Sequence, residues 1–213
     1  MSRTALVQVL GAVAYGEWKA HEGASAKAET APDEGEREIW RRVAAEELRH
    51  YEGFVGRLRA LGADPARAMR PYRRSLDTFH GAEPGRELED AVGSYLGEGV
   101  AEDLLHWLRR VADADTAAFV DTVLADEEEH EGRAAAEIRA LLGDDPGRRR
   151  AAARAAMRMV GRMVTSGGGS YGRFTAFLRV GRAHELLGAL IAGHVRRLRA
   201  IGVAPARGLV PGT

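Results

Sequence analysis

Helix breakers are scarce in the first 146 residues, and their positions divide the chain into long uninterrupted segments. Proline occurs there only at positions 32, 65, 71, 84 and 146. Between these points apolar residues recur every three or four positions, the period of a helix with one buried face. The first segment runs from about Thr4 to Ala31, with Leu6, Leu10, Val13, Ala20, Ala24 and Ala28 on its stripe. The second starts near Asp33, carries Ile39, Val43, Phe54, Leu58 and Leu61, and stops at Gly62. A connector holding Pro65, Pro71 and Pro84 follows. The third segment reads Leu88, Ala91, Tyr95, Leu105 and Leu108. A turn at Asp113-Ala114-Asp115-Thr116 precedes the fourth, with Asp115 as the expected N-cap. That segment carries Phe119, Val123, Ala134, Ile138 and Leu141 and ends at Gly143. About 28 residues of helix span roughly 42 Å. Long helices in short-turn pairs, joined by one longer crossing, predict an all-α four-helix bundle with one crossover connection.

Two further helices are expected C-terminal to the bundle, near Arg148–Val164 and Arg173–Ile201. Thr165-Ser166-Gly167-Gly168-Gly169-Ser170 reads as the linker between them. It has no preceding strand, so it does not match a phosphate-cradling glycine loop. The chain is therefore expected to form a single domain over 1–213, with its core at about 4–143 and a helix pair at about 148–202.

Composition narrows the chemistry. With no cysteine among 213 residues, disulfides, thiolate zinc sites, iron–sulfur clusters and thiol nucleophiles are all excluded. His, Asp and Glu remain as the available ligand types. The 31 basic and 31 acidic residues cancel, but unevenly. Residues 1–146 carry 18 basic and 30 acidic groups, whereas 147–213 carry 13 basic groups and one acidic group, Glu185. Arg150, Arg154, Arg158 and Arg162 recur every fourth position, a stripe that could contact phosphates or dock on an acidic surface. No run of 18 apolar residues is present, so no membrane span is expected. The apolar run after Arg3 is interrupted by Gln8 and continues as helix, which argues for a cytoplasmic protein rather than a signal peptide.

The polar members of the apolar stripes are the informative ones. Val43, Glu47, His50 and Phe54 share a face of the second segment, and Val123, Glu127, His130 and Ala134 share a face of the fourth. Each pair is Glu-x-x-His, three residues apart on one side of a helix. Glu17 sits on the stripe of the first segment and Glu98 on that of the third. Charge on a core face costs several kcal/mol per ion unless compensated, on the order given by desolvation. Four carboxylates cannot compensate one another, but a pair of divalent cations can. Two imidazoles with four carboxylates suit Fe, Mn or Zn better than Ca or Mg. Residues equidistant from a turn lie at equal depth. The midpoint between Glu17 and the Glu47/His50 pair falls at Pro32-Asp33, and that between Glu98 and Glu127/His130 falls at Asp113-Ala114. Glu102, one turn beyond Glu98, is the alternative third-segment ligand. His21, one turn beyond Glu17, is open as an extra ligand, as a donor behind the ligands, or as an exposed side chain.

A Glu on each of two helices and Glu-x-x-His on each of the other two resembles the dimetal-carboxylate pattern of ferritin-like proteins. The wording Tyr15-Gly16-Glu17, Glu47-Leu48-Arg49-His50-Tyr51-Glu52 and Gly97-Glu98-Gly99 is similar to an actinobacterial branch of tRNA isopentenyladenosine hydroxylase-like proteins. The resemblance implies two Fe ions, or Mn or a mixed Mn/Fe pair, with O₂ as co-substrate. One metal would be held by Glu17, Glu47 and His50, the other by Glu98, Glu127 and His130. It implies a hydroxylase or monooxygenase acting on tRNA or a small metabolite, supplied by an electron donor. A peroxidase or iron-oxidising storage protein, or a non-catalytic metal-binding module, would use the same residues. A monomer or homodimer is expected rather than a cage.

Overall fold

The computed structural model describes residues 1–81, 86–168 and 183–203, with side chains described outside 163–168 and 183. Among these residues every regular element is helical: α1 (Arg3–Thr30), α2 (Glu34–Ala60), α3 (Pro65–Met69), α4 (Arg73–His80), α5 (Glu87–Val111), α6 (Ala114–Leu142), α7 (Pro146–Gly168) and α8 (Ala183–Ala200). None of these helices is long and apolar enough to cross a membrane. They form two compact units, the first containing α1 to α4 and the second α5, α6, most of α7 and α8.

In the first unit α1 and α2 form a helical hairpin, with α3 and α4 laid against α1. The turn is where the breakers place it. Asp33 accepts a hydrogen bond from the Glu36 backbone N–H at 2.9 Å, and Glu34 and Glu36 add negative charge to the first turn. At the far end Gly62, at φ +65°, turns the chain out of α2. The Arg3 Nε donates to the Leu61 carbonyl at 2.9 Å, tying the start of α1 to the end of α2. Ile39, expected on the core face, is 39% exposed. It lies near the turn end of the hairpin, one helical turn before Val43 and Ala44, which supply the burial there instead.

The proline-punctuated connector is more ordered than its composition suggests. Asp64 accepts from the backbone N–H groups of Ala66 and Arg67, and Pro65 needs no hydrogen bond at the first helical position, so α3 starts there. Gly11 lets α3 approach α1 closely. A Cβ at that position would lie 2.5 Å from the Ala68 carbonyl oxygen, which is backbone and cannot swing aside. Gly11→Ala is expected to lower stability by about 1–3 kcal/mol, the scale of overpacking. Gly56→Ala, on an exposed face with open space around its Cβ, should instead gain up to about 1 kcal/mol of helix propensity. Urea midpoints of the two variants read this difference; equal midpoints would remove the close approach from the account.

The second unit repeats the hairpin with α5 and α6, and α8 packs on α5. Asp113, rather than Asp115, caps α6. Its carboxylate accepts from the Thr116 N–H at 3.0 Å and the Thr116 hydroxyl at 2.8 Å. The cap is set by which side chain reaches the third residue on, and here helix begins at Ala114. Gly143 closes α6 at φ +49°. The expected linker from Thr165 is helical as far as Gly168, and its remainder lies outside the described residues, as does the start of the last expected helix.

Candidate metal centre

Helix α1 buries Glu17 and helix α2 buries Glu47 and His50, in each case in line with apolar neighbours such as Val13, Val43 and Phe54. Glu17 and Glu47 are each 6% exposed and His50 2% exposed. The His50 Nδ1 is 3.6 Å from an oxygen of Glu17 and 3.6 Å from an oxygen of Glu47. One ligand atom from each of the three lies within 4.8 Å of the others. Oxygens and nitrogens sharing one cation at bond lengths near 2.1 Å sit roughly 3 to 4 Å apart. The set therefore needs only small movements to close on a metal ion. Its hard–borderline mixture of two carboxylates and one imidazole is the kind that suits Fe, Mn or Zn.

Electrostatics point the same way. Burial, partly opposed by the adjacent His50 and reinforced by the charge of Glu17, raises Glu47 from an ordinary 4.5 to about 7. Without a cation this carboxyl holds its proton near neutrality. The folded chain therefore keeps, between about pH 4.5 and 7, a proton that the unfolded chain has released. The unfolded state gains on the native state as pH rises through this window, by up to about 3 kcal/mol in the fully buried limit. Chelator-treated protein is expected to lose stability between pH 5 and pH 8, and Glu47→Gln to flatten that part of the profile. Denaturant midpoints at the two pH values check this, and a wild-type profile matching the variant's would contradict it. A divalent cation binds the ionised form, so added metal should restore most stability at the higher pH.

Residues around the set brace it. The His21 Nδ1 meets the Ala44 carbonyl at 2.8 Å, so the imidazole donates across the hairpin one turn before Glu47. His21 is half-buried and bonded there, not free at the surface. Trp18 packs against both His21 and Tyr51, with ring centroids 5.4 and 5.3 Å away. These contacts fix the relative rotation of α1 and α2, on which the convergence of the three ligands depends.

The second unit differs from expectation on α5. Glu98 is exposed, whereas Glu102 is buried. The expectation that Glu98 turns inward is thus corrected. Packing rotates α5 so that Tyr95, Leu96, Gly99, Glu102 and Asp103 form its inner face, and Glu98 falls outside it. On α6 the His130 Nδ1 lies 3.8 Å from Glu127 Oε2, and His130 is buried. The pair thus has the same Glu–His disposition as Glu47 and His50.

Sequence reasoning missed the cation beside Glu102. Arg197 on α8 is 1% exposed. Its Nη2 donates to Glu102 at 2.6 Å and its Nη1 to Asp103 at 2.8 Å, and its Nε lies 3.3 Å from Glu131. Burial opposes its charge, but the hydrogen bonds to Asp103 and Glu102 outweigh that and raise its pKa. Asp103 and Glu131 are both shifted upward, chiefly by burial and against the pull of Arg197. The Tyr95 hydroxyl donates to Glu131 at 3.3 Å and is pushed up to about 12, first by burial and then by that carboxylate. A signal was present in the sequence: Leu186, Leu190, Gly193, Arg197 and Ile201 fall on one helical face, and an arginine on such a face needs a buried acid.

The arginine stripe of α7 divides. Arg150 and Arg154 are exposed. Arg158 is also exposed but pairs with Glu89 of α5. Arg162 is half-buried, with a guanidinium nitrogen 3.2 Å from where a Cβ on Gly93 would stand.

The sequence model of a family described as "Ferritin-like domain, actinomycetes" matches residues 2–194. No curated protein matches the chain.

Proposed function

The chain belongs to the actinomycete ferritin-like domain family, and from that premise we propose that it is a non-haem di-iron protein that uses O₂ to oxidise an organic substrate. The observation that carries this reading is the buried Glu17–Glu47–His50 set, a carboxylate-rich cluster inside a helical hairpin that could hold a cation. Family membership and the recurrence of Glu-x-x-His at Glu127–His130 support a second metal position. Its third-helix ligand is Glu102 or Glu98, of which only Glu102 is buried. Iron fits this donor set and is available in the cytoplasm, the proposed location; manganese, or one ion of each, fits the same ligands.

Bound iron would supply the O₂-binding position and the electrons that a protein side chain lacks. The chain's own residues do the rest. Glu17 and Glu47 neutralise the cation and His50 contributes a neutral nitrogen. The apolar neighbours on α1 and α2 keep bulk water from the ligands, and His21 and Trp18 hold the helix rotation that brings them together. As a hydroxylation, the reaction inserts one oxygen atom into a C–H bond and reduces the other to water, using two electrons and two protons from a donor. The exposed arginines Arg150 and Arg154 favour a phosphate-bearing substrate such as tRNA, and a small metabolite is the alternative. A monomer or dimer accommodates this role without a storage cage.

Elemental analysis of protein loaded anaerobically with Fe(II) tests the reading. About two iron equivalents per chain, followed by O₂ uptake and a transient near-ultraviolet or visible band on mixing, are expected. Iron that raises the melting temperature but leaves O₂ consumption at the background rate would replace the oxidase reading with a structural metal module.

A further inference from the structure

Three carboxylates of the second unit, two of them buried, already have a cation. Glu102, Asp103 and Glu131 converge on the Arg197 guanidinium, all of whose nitrogens face acids. Arg196 stands behind it, 3.7 to 3.9 Å from the same three residues. The fit is built on both sides. A Cβ on Gly99 of α5 would fall 2.1 Å from Arg197 Nε, and a Cβ on Gly193 of α8 would fall 2.1 Å from Asp103 Oδ2. Each helix thus has a glycine where the other inserts its charged side chain.

A metal ion and a guanidinium compete for the same carboxylate lone pairs, and two cations that share an acid repel each other. We propose that Arg197 is a built-in counter-ion that withholds Glu102 from metal, so that the half-site of the second unit binds a divalent cation far more weakly than the Glu17–Glu47–His50 set. This rests on the dimetal reading above. The two metal positions then fill in order, and the second fills only when the grip of α8 on α5 is loosened. Arg197 is a positioning residue in this scheme and touches neither substrate nor metal.

Equilibrium dialysis of the chelator-stripped full chain against graded Mn(II), without O₂, reads the prediction as metal bound per chain. Wild type should take up one equivalent tightly and a second about 10-fold or more weakly, the scale by which residues behind the ligands alter metal affinity. Arg197→Met combined with Asp103→Asn removes the cation together with one of its acids. It should tighten the second equivalent about 10-fold while leaving the first unchanged. Glu102→Gln keeps the Asp103–Arg197 pair and should lose the second equivalent only. If Arg197 merely braces α8, the double variant melts lower but keeps the wild-type binding curve, and the inference fails. It also fails if Glu102→Gln retains both equivalents. Two equal sites in wild type would overturn this inference and leave the dimetal centre standing, whereas no bound metal would overturn both.

Discussion

Glu47→Ala is expected to cost the protein its tightly bound metal ion while leaving the chain folded. Glu47 is buried, its oxygen lies 3.6 Å from His50 Nδ1, and it shares a ligand set with Glu17. Removing it takes away one of two carboxylates that neutralise the cation and leaves a gap in the coordination. Residues behind the ligands typically change metal affinity by about 10- to 100-fold, so loss of a direct ligand should exceed about 100-fold. The fold should tolerate the change because the metal-free carboxyl is itself held against its preference, with burial raising it to about 7. Far-UV circular dichroism should match wild type, while elemental analysis shows the iron or manganese gone and O₂ uptake falls to background. His50→Ala should behave alike. Glu98→Ala serves as the contrast, since the exposed Glu98 should leave the tight equivalent in place. Full metal content in Glu47→Ala would remove the first unit from any account of the centre.

The second large effect is on stability. Arg197→Met is expected to destabilise the protein by about 3–5 kcal/mol, the scale for breaking a buried ion pair by deleting one partner. Methionine fills similar volume, so the loss is electrostatic: Glu102 and Asp103 stay buried without the guanidinium that now donates to them at 2.6 and 2.8 Å. For a chain of this size such a loss lowers the melting temperature by roughly 10 °C. Asp103→Asn added to Arg197→Met should recover part of the stability, because one uncompensated acid is gone. A double-mutant cycle therefore returns a coupling energy of about 1–3 kcal/mol between the two residues. Additive destabilisation would show that the pair contributes packing alone.

Much of the helical framework was legible along the chain. Pro32 and Asp33 end α1 and cap α2, Gly62 and Gly143 close their helices, and the turn before α6 lies within the predicted stretch, because caps and breakers act through bonds spanning only a few residues. The short helices α3 and α4 were not legible. Prolines that mark a connector are equally suited to the first turn of a helix, and the Asp64 cap together with the Gly11 notch on α1 chose that outcome.

The sequence alone determined that the inner faces of the helices carry acids and imidazoles, since three- and four-residue spacing places Glu47 with His50, and Glu127 with His130, on single helical faces. It could not choose between Glu98 and Glu102. They lie one turn apart and only about 40° apart around the axis, so a modest rotation of the helix exchanges inside for outside. Packing of α5 against α6 and α8 set that rotation. Nor could local pattern pair Asp103 with Arg197, 94 residues away. A buried charge is tolerable only beside its partner, and tertiary contact decides which partner arrives. In the second unit it is an arginine that meets the acids on α5.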